Sequence, residues 1–210
     1  MMKILTTLIL TFFASSLISA QTVFNYSDSL HSYKISIDSS LSGDEVNYDC
    51  SIKSISVYGA DYKQLLQTII PPENTFFCGT PKDQISLLND VNFDGLSDFM
   101  IVQFEPAGPN IPYYYWIFNN KTQAFQRDTT LEGITSPAFD SPHKLITSFW
   151  RSGCCDHGFS NYKYIDGKIT LIEETEIVDK PDKPGEQIFT KKRLVNGKMK
   201  LIERTVEKEK

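Results

Sequence analysis

Two stretches of this 210-residue chain repeat one another in pattern: Tyr164-Ile165-Asp166-Gly167-Lys168-Ile169-Thr170-Leu171-Ile172-Glu173 and Leu194-Val195-Asn196-Gly197-Lys198-Met199-Lys200-Leu201-Ile202-Glu203. In each, a strand-like run meets Asp-Gly or Asn-Gly and a second run follows. Those dipeptides tolerate the two positive φ angles of a tight hairpin turn, so each repeat predicts two antiparallel strands. Between them, Asp179 to Glu186 is a polar connection that leads into another strand, not a domain linker. Upstream, short alternating or aromatic runs recur with turn residues between them. Tyr33 to Ile37 alternates; Ile55-Ser56-Val57 breaks at Gly59-Ala60-Asp61; Ile69-Ile70 stops at Pro71-Pro72; Tyr113 to Phe118 turns at Asn119-Asn120. A weak helical period occurs around Tyr62 to Thr68. The expected fold is all-β: antiparallel hairpins built as blades or stacked sheets, forming an irregular or incomplete β-propeller-like single domain over residues 21–210. A full propeller needs more blades than this length supplies.

Residues 1–20 read as an export signal. Lys3 gives the positive start, Leu5 to Phe13 the apolar centre, and Ser15, Ser16, Ser19 and Ala20 the small residues before cleavage, expected after Ala20. The apolar centre is shorter than a membrane helix, and no later stretch reaches the ~20 apolar residues that spanning requires. An exported address, periplasmic or secreted, with no transmembrane segment is therefore expected. The net charge of −5 argues against a nucleic-acid partner, which calls for a concentrated basic face. The lysines and glutamates of Lys198 to Lys210 interleave by sign and read as a solvated strand.

The run Asp90-Val91-Asn92-Phe93-Asp94-Gly95-Leu96-Ser97-Asp98 places side-chain oxygens at loop positions one, three, five and nine, with glycine at six. This spacing suits a hard cation such as calcium, because alternate residues of a curled loop turn inward and glycine permits the sharp bend. Ile101 stands where an EF-hand would place its bidentate Glu, and both flanks are β-like. The unit is expected to be strand–calcium loop–strand over 90–98. Asp90, Asn92, Asp94 and Asp98 would be ligands, with the Leu96 carbonyl as a fifth.

Arg151 to Asn161 is a glycine-containing loop that gathers a guanidinium, hydroxyls, an imidazole and a carboxylate. Arg151, Ser152, Gly153 and His157 are its candidate partner-binding residues, since recognition concentrates on loops held by a rigid scaffold. In an oxidising compartment the four cysteines, Cys50, Cys78, Cys154 and Cys155, are expected to form disulfides. Three connectivities exist. Cys50 and Cys78 flank one predicted hairpin, which favours Cys50–Cys78 with a vicinal Cys154–Cys155 pair. Adjacent Cα atoms lie ~3.8 Å apart, so that ring would be strained; the competing arrangement ties each vicinal cysteine to Cys50 or Cys78. A metal site at Cys154, Cys155 and His157 is disfavoured beside disulfides, because zinc sites separate their cysteines by two or more residues.

The aromatic run Tyr113 to Phe118 puts Tyr114, Trp116 and Phe118 on one face and Tyr113, Tyr115 and Ile117 on the other. Two apolar faces read as buried core more than as a sugar-stacking platform. Glu173 and Glu174 are strand neighbours that face opposite ways and cannot share a scissile bond. No nucleophile elbow, His-Glu-x-x-His or phosphate loop occurs. The chain is expected not to be an enzyme.

From Ile85 to Glu173 the chain resembles exported bacterial proteins related to a type IV secretion immunity protein that protects against a peptidoglycan-cleaving toxin. The matching residues run in order: Asp90-Val91-Asn92-Phe93-Asp94-Gly95 with Asp98, Tyr115 to Phe118, Phe125, Pro137 to Asp140, Ile146-Thr147-Ser148, Arg151-Ser152-Gly153, Tyr164 to Lys168, and Leu171-Ile172-Glu173. The loop alone also resembles the metal loops of FG-GAP propeller repeats. The resemblance implies a propeller-like fold, bound calcium, and kinship with periplasmic inhibitors of invertebrate-type lysozyme, which push a Ser-Gly element into the hydrolase cleft. Ser152-Gly153 takes that place here, and the chain departs from the pattern at Cys154-Cys155-Asp156-His157. The functional expectation is an inhibitor of a peptidoglycan hydrolase, with a calcium-stabilised surface or carbohydrate-binding module as the alternative.

Overall fold

Each hairpin signal becomes a pair of neighbouring strands in the computed structural model, which describes residues 19–28, 30–41, 48–72, 85–104 and 106–208. Of residues 19–22, 37–41, 48–51 and 85–89 it describes the backbone alone. Fourteen strands form three antiparallel meanders taken up in sequence order, and no helix occurs among the described residues. The first sheet contains β1 (Ser19–Ser27), β2 (His31–Leu41), β3 (Tyr48–Gly59) and β4 (Leu65–Ile69). The second contains β5 (Ile85–Asn89), β6 (Asp98–Val102), β7 (Tyr113–Asn119) and β8 (Ala124–Arg127). The third runs β9 (Pro137–Asp140), β10 (Leu145–Ser152), β11 (Asp156–Ile165), β12 (Lys168–Asp179), β13 (Glu186–Val195) and β14 (Lys198–Lys208). The three blade-like sheets agree with the irregular all-β architecture expected from the hairpins.

The two repeats are the β11–β12 and β13–β14 hairpins, closing on Ile165↔Lys168 and Val195↔Lys198. Asp166, Gly167, Asn196 and Gly197 all take positive φ, as a two-residue hairpin turn demands. The helical period near Tyr62 is overturned. Leu65–Ile69 is strand β4, paired antiparallel with β3. With only Ile69 buried in that strand, a helical stripe had nothing to pack on, while the open edge of β3 offered a full ladder. Most of the expected leader lies outside the described residues; Ser19 and Ala20 open β1 and pair with Ser40 and Ser39.

The central sheet carries the packing. Every residue of β6 is buried, and β7 divides its side chains between two cores. Trp116 and Phe118, with Tyr114 beside them, meet Phe99, Ile101 and Phe125 and the inner face of the first sheet, Tyr33, Ile35, Ile55, Val57 and Ile69. On the reverse face Tyr115 joins Met100, Val91, Phe93, Leu131, Ile134 and Ile146, with Tyr113, Ile117 and Tyr162 against them. The period-two reading of this strand holds residue for residue. Each large apolar side chain so buried stabilises the fold by ~1.5–3 kcal/mol.

Two side-chain amides close the seams between sheets by standing in for strand pairing. Gln67 of β4 donates from Nε2 to the Phe125 carbonyl (2.9 Å) and accepts the Phe125 N–H at Oε1 (2.8 Å). Asn110, between β6 and β7, donates from Nδ2 to the Arg151 carbonyl and accepts the Arg151 N–H, both at 2.8 Å. Each amide satisfies a donor and an acceptor on an otherwise unpaired strand edge.

The outer half of the third sheet is stitched by charge instead of apolar contact. Glu173 meets Arg193 (2.7 Å) and Lys191 (3.1 Å) on one face, and Glu174 and Glu176 meet Lys192 (3.4 and 3.0 Å) on the other. The two neighbouring acids thus point to opposite faces, as the strand alternation requires. β14 forms the outer edge, and nearly all its residues are exposed, as expected of a solvated strand.

Gly158, opposite Trp150 in the β10–β11 pair, fits only a hydrogen at Cα. A Cβ there would lie 2.4 Å from the Thr175 carbonyl oxygen and 2.7 Å from the Trp150 ring. Gly158→Ala is therefore expected to destabilise the protein by ~1–3 kcal/mol, the usual cost of overpacking. Urea denaturation checks this; an unchanged midpoint would show that Trp150 moves aside freely.

Candidate functional site

The 90–98 segment links β5 to β6 and is built on alternation. Val91 and Phe93 plug into the core on the reverse face of the central sheet, while Asp94 is exposed and Asn92 half-exposed. The intervening polar side chains wrap the backbone. Asp90 accepts the Asp94 N–H at Oδ1 (2.9 Å) and the Gly95 N–H at Oδ2 (3.0 Å). Asn92 Oδ1 accepts the Asp94 N–H (3.0 Å), and Asp94 Oδ1 accepts the Leu96 N–H (2.9 Å). Phe93 at φ 62° and Gly95 at φ 88° supply the left-handed steps that curl the chain.

Asp98 has a different role from the other three polar residues. It is fully buried, its Oδ1 accepts the Phe118 N–H (2.8 Å), and its Oδ2 accepts the Val91 N–H (2.9 Å). Burial pushes its carboxyl up to about 6, against the opposing pull of the Phe118 and Val91 amides. One carboxylate thereby fastens the loop, the start of β6 and the end of β7 to each other. The sequence marked Asp98 as a possible ligand and gave no sign of this second task, because Phe118 lies twenty residues away.

The Arg151–Asn161 segment is a strand-paired hairpin tip and not the glycine-containing loop expected. Strand pairing runs to Ser152↔Asp156, so the turn shrinks to Gly153-Cys154-Cys155, with Gly153 at φ 67°. Arg151 and His157 form a cross-strand pair beside Phe149↔Phe159, so the four side chains share a face. The Arg151 guanidinium donates to the Cys154 carbonyl, and His157 Nδ1 lies 2.8 Å from the Cys155 carbonyl oxygen. Ser152 and Gly153 are exposed at the tip. A cleft of about 400 Å³ opens there, lined by Phe149, Arg151, Cys154, Cys155, His157 and Gln187.

Cys154 and Cys155 carry free thiols in the structure. Cys50 lies on β3, paired with Ser39, but its side chain and the whole of Cys78 lie outside the described residues, and the expected Cys50–Cys78 bridge with them. The aromatic strand offers no sugar platform. Tyr115, Trp116 and Phe118 are buried, and the Tyr114 ring is covered by the Arg127 guanidinium at 4.6 Å. Sequence reading missed Asp179, whose carboxylate stands with the two thiols, all ligand atoms within 4.8 Å of one another. The hairpin count could have found it: outward from the Asp166-Gly167 turn, past one bulge at Asn161/Tyr162, His157 meets Ile177, and two further steps reach Cys155 and Asp179.

No family model matches the chain, and no curated protein matches it. Among solved structures it is similar to a Xanthomonas type IV secretion system related protein, with a TM-score of 0.53 and 15% identity, over 89% of this chain and 98% of that one. The two share a fold. Among the described residues no helix is long and apolar enough to cross a membrane.

Removing the Asp98 carboxylate leaves two buried amides without acceptors, each costing ~1–3 kcal/mol. Asp98→Ala is therefore expected to lower unfolding free energy in calcium-free buffer by ~2–4 kcal/mol. Chemical denaturation with chelator present measures it, and a loss below ~1 kcal/mol would mean that other groups satisfy those amides.

Proposed function

We propose that this chain is an exported binding protein that blocks a peptidoglycan hydrolase, presenting the β10–β11 hairpin tip to the enzyme's cleft. The carrying observation is how that tip is clamped. Asn110 clamps the Arg151 backbone through both its N–H and its carbonyl, while β9 and β12 pair along the flanks of the same hairpin. A preorganised tip loses little entropy on insertion, which is where such an element gains its affinity. Arg151 spends one donor direction on the Cys154 carbonyl and, with five N–H groups, keeps others for an acidic cleft. The shared fold with a type IV secretion system related protein agrees with this reading, and so does the leader-like composition of residues 1–20. Binding rather than catalysis is the reading for the acids too, since Glu173 and Glu174 each serve their own ion pairs on opposite faces.

The 90–98 loop is the proposed calcium site. Asp90, Asn92, Asp94 and Asp98, with the Leu96 carbonyl, would hold the ion. The curled backbone, the positive φ at Gly95 and the gathered side-chain oxygens fit a hard cation. Asp98 can serve both tasks, because each carboxylate oxygen that accepts one amide retains a second lone pair. Calcium would offset the crowding of carboxylates and brace the base of the central sheet.

Calcium in excess is expected to raise the melting temperature, by about 2.7 kcal/mol of added stability at a hundredfold excess over the dissociation constant. Asp94→Ala should erase most of that shift. A wild-type melting curve indifferent to chelator would remove the metal from the loop.

Inhibition is tested by adding residues 21–210 to lysozyme-type hydrolases and following clearance of purified peptidoglycan. Wild type should slow the reaction; an Arg151→Ala/His157→Ala pair should weaken the complex by ~2–5 kcal/mol with an unchanged circular dichroism spectrum. Equal inhibition by both proteins would place the interface elsewhere, and no inhibition by either would sink the reading.

A further inference from the structure

The thiols at the hairpin tip and the acid on the next strand form a group that partner binding does not explain. Cys154 and Cys155 occupy the turn, and Asp179 ends β12, brought alongside by the β11–β12 register. The two sulfurs and a carboxylate oxygen of Asp179 all lie within 4.8 Å of one another, the one grouping of acid, thiol and imidazole ligands this tight among the described residues.

Three further features prepare the group for a cation. Asp179 is held from both sides: Gln187 Nε2 donates to its Oδ1 (3.0 Å), and its own N–H donates to Asp156 Oδ1 (3.0 Å). Such contacts around a ligating carboxylate orient it before an ion arrives. Cys155 is itself hydrogen-bonded to Cys154 and to Asp179, so the three ligand groups already face one another. Finally, His157 Nδ1 faces the Cys155 carbonyl, which only accepts, so the neutral ring carries its proton there and keeps its lone pair on Nε2. A histidine fixed in this way lines the same cleft as both thiols.

We propose that Cys154, Cys155 and Asp179 bind a thiophilic divalent cation of the zinc class, with the fourth position open to the cleft beside His157. Two thiolates and a carboxylate suit a borderline-soft cation and discriminate against calcium, which takes six or more oxygens. Binding is an exchange: one cation enters, each thiol gives up its proton to solvent, and Asp179 enters already ionised. Two sulfur–metal bonds form and two protons leave, with no change of oxidation state. The competing fate of the thiols, a vicinal disulfide, closes a strained ring that reduces readily. The site stands apart from the 90–98 loop in ligand chemistry and does not depend on hydrolase inhibition.

The test uses residues 21–210, gently reduced and then freed of reductant, in buffer saturated with calcium. Cadmium serves as the probe because its thiolate complexes absorb by sulfur-to-metal charge transfer. One equivalent should produce that band, release two protons, and protect Cys154 and Cys155 from alkylation as read by peptide mapping; zinc should displace it. Asp179→Asn should weaken binding about tenfold or more while keeping the band. Cys154→Ser/Cys155→Ser should abolish the band yet leave the calcium-induced stabilisation intact, which controls for folding. The proposal is overturned if no band forms near one equivalent. It is overturned equally if the band survives the double serine variant, which would assign the metal to Cys50 and Cys78, or if Asp179→Asn binds as tightly as wild type.

Discussion

The rest of the structure depends on burying the central sheet on both faces. β6 and β7 have no solvent side, so the first sheet must cover one face and the start of the third sheet the other. Two-sided burial leaves no water for backbone groups that lack a ladder partner, and this is where Asp98 matters. Its carboxylate reaches the Phe118 amide at the end of β7 and the Val91 amide in the adjoining loop, groups that strand pairing does not serve. An ionisable group is an expensive acceptor to bury, and its raised pKa reflects that cost. The loop that presents Asp98 is consequently part of the core's construction as well as a candidate cation site.

Much of this was legible because strand alternation and turn chemistry are local. Asp166-Gly167 and Asn196-Gly197 announced their hairpins, and Tyr113 to Phe118 declared two apolar faces that the structure fills with two separate cores. What escaped was non-local. Gln67 and Asn110 look like ordinary polar residues until the fold brings Phe125 and Arg151 beside them, 58 and 41 residues along the chain. Leu65–Ile69 was misread for a related reason: its weak helical period is outweighed by an open strand edge that no local window contains.

The candidate sites divide along the same line. Asp90, Asn92 and Asp94 fall in one short loop, so spacing alone gathered them. The segment from Arg151 onward was shaped wrongly, since glycine and mixed polarity read as a loop while the Arg151↔His157 and Ser152↔Asp156 pairs extend the strands almost to the turn. Asp179 needed a register count through a bulge, and an error of one residue there would have sent its carboxylate to the opposite face.

The outer strand β14 has its own consequence for how this protein behaves in a crowded compartment. Among the described residues nothing pairs with its outer side, and an open edge of eleven residues is a template on which a second chain could add, with exposed Leu201, Ile202 and Val206 to reward it. Lys198, Lys200, Glu203, Arg204, Glu207 and Lys208 stand along the same strand. A newcomer on this edge would have to match those charges or leave them against apolar neighbours, which narrows the registers it can use. Charges set along an edge strand are a means by which a sheet ends at its last strand, here the sixth of the third sheet.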